Sequence, residues 1–157
     1  MTITIEESRA ILLAYGIKVY CSFPSHYTVT RALPWYGDSE KRKPIKEGFS
    51  VSHCSLGDVR AMAQAYKALA LPATRESFTH CRQILGDAWR AYTAARVHAE
   101  SVGTLTDDWA DKDNSPVTLA RLAARGSERA HWHTHRVWQE NVRARGSALS
   151  AIASGVA

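Results

Sequence analysis

A helical repeat of apolar residues between positions 78 and 102 constrains the fold of this chain more than any other feature. The repeat spacing places its members on one face of an α-helix. It predicts one long helix over about 74–102, with Gly103 as the stop signal. Its members follow one another at steps of three and four residues: Phe78, Cys81, Leu85, Ala88, Tyr92, Ala95, Ala99 and Val102.

A second helical pattern precedes the first and ends before Pro72. Ser55 and Asp58 have the spacing of a helix N-terminus, and apolar residues then recur at helical steps to predict a helix over 56–70. The two helices are expected to form an αα-hairpin. Because the second is about twice as long as the first, its far half needs another partner. The C-terminal helices, or a second copy of the chain against the 78–102 seam, are the two alternatives.

The N-terminal region combines a helix signal with strand signals. Thr4 and Glu7 have the spacing of a capping box before a helix over about 5–15. Alternation of apolar and polar residues then predicts three short strands in a small antiparallel sheet. Two prolines, a glycine and a basic tripeptide predict an exposed loop over 34–44. The predicted strands are 16–21, 26–30 and 49–53.

The C-terminal region also shows helical patterning. Ser115-Pro116 is a typical N-cap and first helical residue. Gly126-Ser127 predicts a break, which gives helices over 116–125 and 128–145. Leu119, Ala123, Gly126, Ala130, His133 and Val137 form a possible buried seam.

These patterns predict a predominantly α-helical α+β protein. At 157 residues the chain suits one domain, 1–157. Its expected parts are a helix with a small β region over 1–54, a helical hairpin over 55–103 and basic C-terminal helices over 104–157.

Positive charge is concentrated in the last quarter of the chain. Residues 1–115 carry 14 basic and 13 acidic side chains, whereas residues 116–157 carry six arginines, two glutamates and no lysine. The C-terminal segment therefore has a net charge of +4 out of +5 for the whole chain. An anionic partner, or a face that solvent and internal acids neutralise, explains this excess.

Cysteine content and hydropathy bear on the compartment. The three cysteines form no CxxC pair, which is typical of reduced thiols in a cytoplasmic protein. No run of about 18 apolar residues predicts a membrane span, so no membrane partner is expected.

The candidate binding residues are arginines and one tryptophan that recur at helical steps in the C-terminal region. Guanidinium groups in such a row can contact successive phosphates while an indole stacks on a base. They predict a non-enzymatic, regulatory binding protein that engages nucleic acid or a nucleoprotein complex. The residues are Arg121, Arg125, Arg129, Trp132, Arg136 and Arg143.

The same arginines also suit an acidic protein surface. In that alternative the chain is a protein–protein inhibitor or accessory factor without nucleic-acid binding, and Trp35-Tyr36 supplies an anchor.

Histidines raise a third alternative, a phosphodiesterase or metal-assisted hydrolase. His131, His133 and His135 are potential metal ligands, but on a helix His133 points about 200° away from His131. His26-Tyr27-Thr28 and His53-Cys54-Ser55 share the form His-x-Ser/Thr, in which one imidazole can act as base and the other as acid. Neither pattern is specific, so the sequence predicts no catalytic residue, no metal ligand and no cofactor.

Overall fold

The computed structural model describes residues 2–23, 26–31, 49–102 and 116–146, together with 151, 154 and 155. Within them the chain forms four helices and three strands, a mostly helical α+β fold as the sequence predicts. In chain order they are α1 (Ile5–Ala14), β1 (Ile17–Phe23), β2 (His26–Arg31), β3 (Phe49–Cys54), α2 (Leu56–Ala68), α3 (Arg75–Ser101) and α4 (Pro116–Arg145).

Side-chain caps fix the beginnings of the first two helices, as their sequence signals predict. The Thr4 hydroxyl accepts a hydrogen bond from the Glu7 backbone N–H, and the Glu7 carboxylate accepts one from the Thr4 N–H. Ser55 and Asp58 form the same reciprocal pair at the start of α2. Each cap satisfies donors that the helix geometry leaves without a partner.

The sheet is antiparallel with the order β1-β2-β3. Val29 in the central strand is fully buried and lies opposite Val19 on one side and Val51 on the other. Pairing between β2 and β3 shifts register, because Val29 faces Val51 whereas Tyr27 faces Cys54. One extra residue therefore lies in β3, which is the geometry of a β-bulge.

The predicted helical hairpin is present, with α2 packed against α3. Phe78, Cys81, Ala88 and Ala99 of the apolar repeat are buried, and the other four members are half-buried. The far half of α3 has α4 of the same chain as its partner, so burial of the seam requires no second copy.

The C-terminal helix differs from its prediction. Instead of a break at Gly126-Ser127, α4 runs without interruption from Pro116 to Arg145. A Cβ atom at position 126 would lie 2.2 Å from the carbonyl oxygen of His53. Glycine at this position therefore allows β3 to approach the α4 backbone, and this packing offsets the poor intrinsic helix propensity of glycine.

The core lies where the sheet and α2 pack against the other three helices. Leu12, Ile17, Val29, Val59 and Met62 are at most 1% exposed, and burial of such side chains stabilises the fold by about 1.5–3 kcal/mol each.

Several predicted segments lie outside the described residues. They include the 34–44 loop with the Trp35-Tyr36 anchor, the Gly103 stop signal, the start of the predicted 104–157 part and most of the chain after position 146. Among the residues that the structure describes, no helix combines the length and apolarity needed to cross a membrane.

Candidate functional site

The structure places five of the six candidate binding residues on one side of α4. Arg125, Arg129, Trp132, Arg136 and Arg143 are separated by steps of three, four and seven residues, so an uninterrupted helix places them on one side. Arg129, Trp132 and Arg143 are exposed, whereas Arg125 and Arg136 are half-buried. These five residues are called the arginine face below.

Arg121 lies four residues before Arg125, at the same helical spacing, but its side chain is not accessible as those of the arginine face are. Its side chain is buried, with 7% of the residue accessible. A guanidinium within the protein cannot meet a partner at the surface, so Arg121 is not part of the accessible face.

Arg136 has a structural contact as well as a position on the face. Its Nη2 donates a hydrogen bond to Nδ1 of His133, at 3.1 Å. His133 is buried between Phe49, whose ring centroid is 4.0 Å away, and Tyr66, whose hydroxyl lies 3.1 Å from Nε2. His133 is thus a core residue with both ring nitrogens in hydrogen bonds, which confirms its predicted place in the buried seam.

A cluster of aromatic rings adjoins the arginine face where α4 packs on α3. Trp89 and Trp132 are 51% and 55% exposed. Both lie against His131, with ring centroids 5.1 and 5.2 Å from its imidazole. Tyr92 stacks on the same imidazole at 6.0 Å, and His135 continues the cluster at 6.4 Å. Trp89, Tyr92, His131, Trp132 and His135 are called the aromatic patch below.

No sequence pattern placed Trp89 in a candidate site. Trp89 lies outside the apolar repeat of α3, and nothing in its local sequence indicates that α4 would pack beside it. The one sequence signal that could have linked Trp89 to an aromatic cluster is its position three residues before Tyr92, which makes the two side chains neighbours on a helix.

The three histidines of α4 do not converge. His131 and His135 belong to the aromatic patch, whereas His133 faces Tyr66 on another side of the helix. Burial and the neighbouring His135 lower the pKa of His131. Within the described part of the chain, no three histidine, cysteine or carboxylate side chains are grouped as metal ligands.

The structure brings His26 and His53 together on neighbouring strands. Their ring centroids are 6.2 Å apart and the rings are nearly perpendicular, at 73°. Burial lowers the pKa of His53, and the positive charges of His26 and Arg129 lower it further. Arg129 of the arginine face is therefore close enough to act electrostatically on His53.

Cys54, next to His53, is not suited to nucleophilic catalysis. The thiol is fully buried and lies 3.6 Å from the Val51 carbonyl oxygen, to which it donates. Burial and the charge of Asp58 raise its pKa, so the reactive thiolate is disfavoured at neutral pH.

No protein-family model matches this chain, and neither does any curated protein or solved structure. The arginine face, the aromatic patch and the histidine pair are the features of this chain that bear on its function.

Proposed function

We propose that this chain is a non-enzymatic protein that binds single-stranded nucleic acid on the surface formed by the arginine face and the aromatic patch. One observation carries the proposal: Trp89 and Trp132 hold half-exposed indoles against His131, and Trp132 shares one side of α4 with the arginine face. Proteins that bind single strands combine aromatic stacking platforms with positive charge that contacts the backbone.

The packing around His131 favours a stacking role for the two indoles. Tryptophan carries a large apolar area, and large exposed apolar patches commonly mark interaction sites. The rings of His131 and Tyr92 stack with only 14° between their planes, and the Trp89 indole lies against both. An unpaired base can stack on such a ring, whereas the bases of a duplex are already stacked on one another.

The arginines supply the matching electrostatic contacts. Arg129 and Arg143 are exposed on the same helix as Trp132, and each guanidinium can form paired hydrogen bonds with a phosphate. The six arginines and two glutamates of α4 leave this helix with a positive charge. A cytoplasmic location suits the proposal, since the three cysteines form no disulfide.

Fluorescence anisotropy with labelled single-stranded DNA, single-stranded RNA and duplex DNA at about 50 and 200 mM salt tests the proposal. We expect the single strands to bind more tightly than the duplex, with affinity that falls steeply as salt rises. Trp132→Ala should weaken binding about 5- to 150-fold, which corresponds to a stacking contribution of about 1–3 kcal/mol per base. Arg143→Ala should weaken it and reduce the salt dependence.

Arg9→Ala is the matched control, because Arg9 is an exposed arginine on α1, away from this surface. Circular dichroism would establish that each variant remains folded. Absence of binding at the lower salt, or equal binding by wild type and Trp132→Ala, would overturn the proposal. The first result would favour the alternative in which the arginines meet an acidic protein surface.

A further inference from the structure

The backbone of His53 has an unusual conformation with a clear structural cause. Its φ is +59°, in the left-handed region that costs a residue with a side chain about 1–2 kcal/mol. His53 lies in the part of β3 where the register shifts, between Val51 and Cys54. The backbone of α4 packs against this bulge. The His53 carbonyl oxygen occupies the space that a side chain at Gly126 would fill. Such strain persists only where the surrounding structure determines it, and it is enriched at functional sites.

This bulge fixes where the His53 imidazole lies. Its ring is held next to that of His26, with 6.2 Å between the centroids. Arg129 is one helical turn from Gly126, so the same contact between β3 and α4 brings a guanidinium toward the two imidazoles. The influence of Arg129 on the pKa of His53 agrees with this proximity.

The hydrogen bonding of His53 is incomplete. Its Nδ1 is buried and has no hydrogen-bond partner among the described residues. Buried N–H groups without a partner are rarer than buried acceptors without one, so the proton of the neutral ring is favoured on Nε2. That nitrogen can then donate a hydrogen bond to a ligand.

Among the described residues, the charged groups that act on His53 and Cys54 are His26, Arg129 and Asp58. Asp58, which acts electrostatically on the neighbouring Cys54, is buried and accepts hydrogen bonds from the Ser55 backbone N–H and the Ser127 hydroxyl. Burial raises the pKa of Asp58, which disfavours its negative charge. Asp58 therefore offsets the positive charge of Arg129 only weakly, and that charge would attract an anion to the neighbouring imidazoles.

We propose that His26, His53 and Arg129 form a binding site for a phosphate group. An anion beside the two rings can accept an N–H hydrogen bond from each imidazole, and Arg129 can supply a paired contact. The phosphate can be free, or it can be a phosphodiester of a nucleic-acid strand. The second source rests on the proposed function, because Arg129 also belongs to the arginine face, whereas the first does not.

Histidine ring NMR signals provide the direct test. The folded wild-type protein is titrated at pH 7 with inorganic phosphate, and separately with sodium chloride at matched ionic strength. We expect the His26 and His53 signals to shift with a saturable dependence on phosphate and not on chloride. Arg129→Gln should weaken phosphate binding at least tenfold, as should His53→Gln. His98→Gln, at an exposed position near the end of α3, should leave it unchanged.

A second titration with a dinucleoside monophosphate distinguishes the two sources. Saturable shifts with this diester as well as with inorganic phosphate support a site that takes a strand phosphate. Shifts with inorganic phosphate alone support a free-phosphate site. Absence of phosphate-specific shifts at His26 and His53, or equal affinity in Arg129→Gln, overturns the proposed site. Strand binding that persists and still depends on Trp132 would then leave the proposed function intact.

Discussion

The buried imidazole of His133 makes the stability of this protein depend on pH. Arg136 donates to Nδ1, so this nitrogen must carry a lone pair, and the neutral ring then donates from Nε2 to the Tyr66 hydroxyl. Protonation would place an N–H at Nδ1 against the guanidinium. Burial, with Arg136 and Arg31 nearby, accordingly lowers the pKa of His133 from 6.5 to about 3.

The sign and size of the effect follow from these two pKa values. Between pH 6.5 and about 3 the unfolded chain binds a proton at His133 that the folded chain does not bind. The stabilisation by the neutral ring is therefore complete above pH 6.5 and is lost as pH falls. One pKa unit corresponds to about 1.4 kcal/mol, so His133 should lower the free energy of unfolding by about 2 kcal/mol between pH 8 and pH 5.

Urea denaturation at pH 8 and pH 5 measures this loss. His133→Gln retains polar atoms for Tyr66 and Arg136 but cannot titrate, so its loss between the two pH values should be smaller than that of wild type by about 2 kcal/mol. His80→Gln, at an exposed position on α3, is the control and should behave as wild type. His53 and His131, whose pKa values are also lowered, are unchanged in both variants.

Equal pH dependence in wild type and His133→Gln would refute this reasoning. So would an NMR titration in which the His133 ring protonates near pH 6.5 in the folded protein. In either case His133 would have no role in acid sensitivity, and the hydrogen bond from Arg136 would not select the neutral ring.

Two further predictions concern packing and thiol reactivity. Gly126→Ala should lower the free energy of unfolding by about 3 kcal/mol or more, because its Cβ would overlap a backbone carbonyl of β3. Gly86→Ala, where a Cβ meets only a flexible side chain 3.5 Å away, should raise it by up to about 1 kcal/mol; equal effects in urea denaturation would contradict the close-approach argument. A thiol reagent should modify exposed Cys21 rapidly in the folded protein, and buried Cys54 and Cys81 only after unfolding. Rapid modification of two or more thiols per folded chain would show that at least one of the buried cysteines is accessible, and would contradict this prediction.

Local signals were sufficient for most of the secondary structure. The capping pair Thr4 and Glu7 lies within one helical turn, and successive members of the apolar repeat of α3 are also about one turn apart. Such local spacings predict the type and position of a helix without tertiary information. The three strands likewise follow from alternation, and the structure gives each one within about two residues of its expected bounds.

The continuity of α4 is the clearest case in which local signals were misleading. Glycine has low helix propensity, and Gly126 followed by serine therefore predicted a break. The contact with β3 reverses that preference, because any larger residue would collide with the His53 carbonyl oxygen. A propensity describes an isolated segment and contains no information about what packs against it.

The candidate sites likewise combine features that local sequence determines with features that only tertiary packing determines. Sequence spacing placed Arg129, Trp132, Arg136 and Arg143 on one side of the predicted 128–145 helix, because helical periodicity is local. Only the continuity of α4 through Gly126 adds Arg125 to that side.

The sequence could not determine that Arg121 is buried or that Trp89 of α3 lies beside the same histidine as Trp132. Nor could it determine that a β-bulge brings His53 next to His26. Each of these depends on how separate elements pack, and residues distant in the chain meet only when the complete fold closes around a shared core.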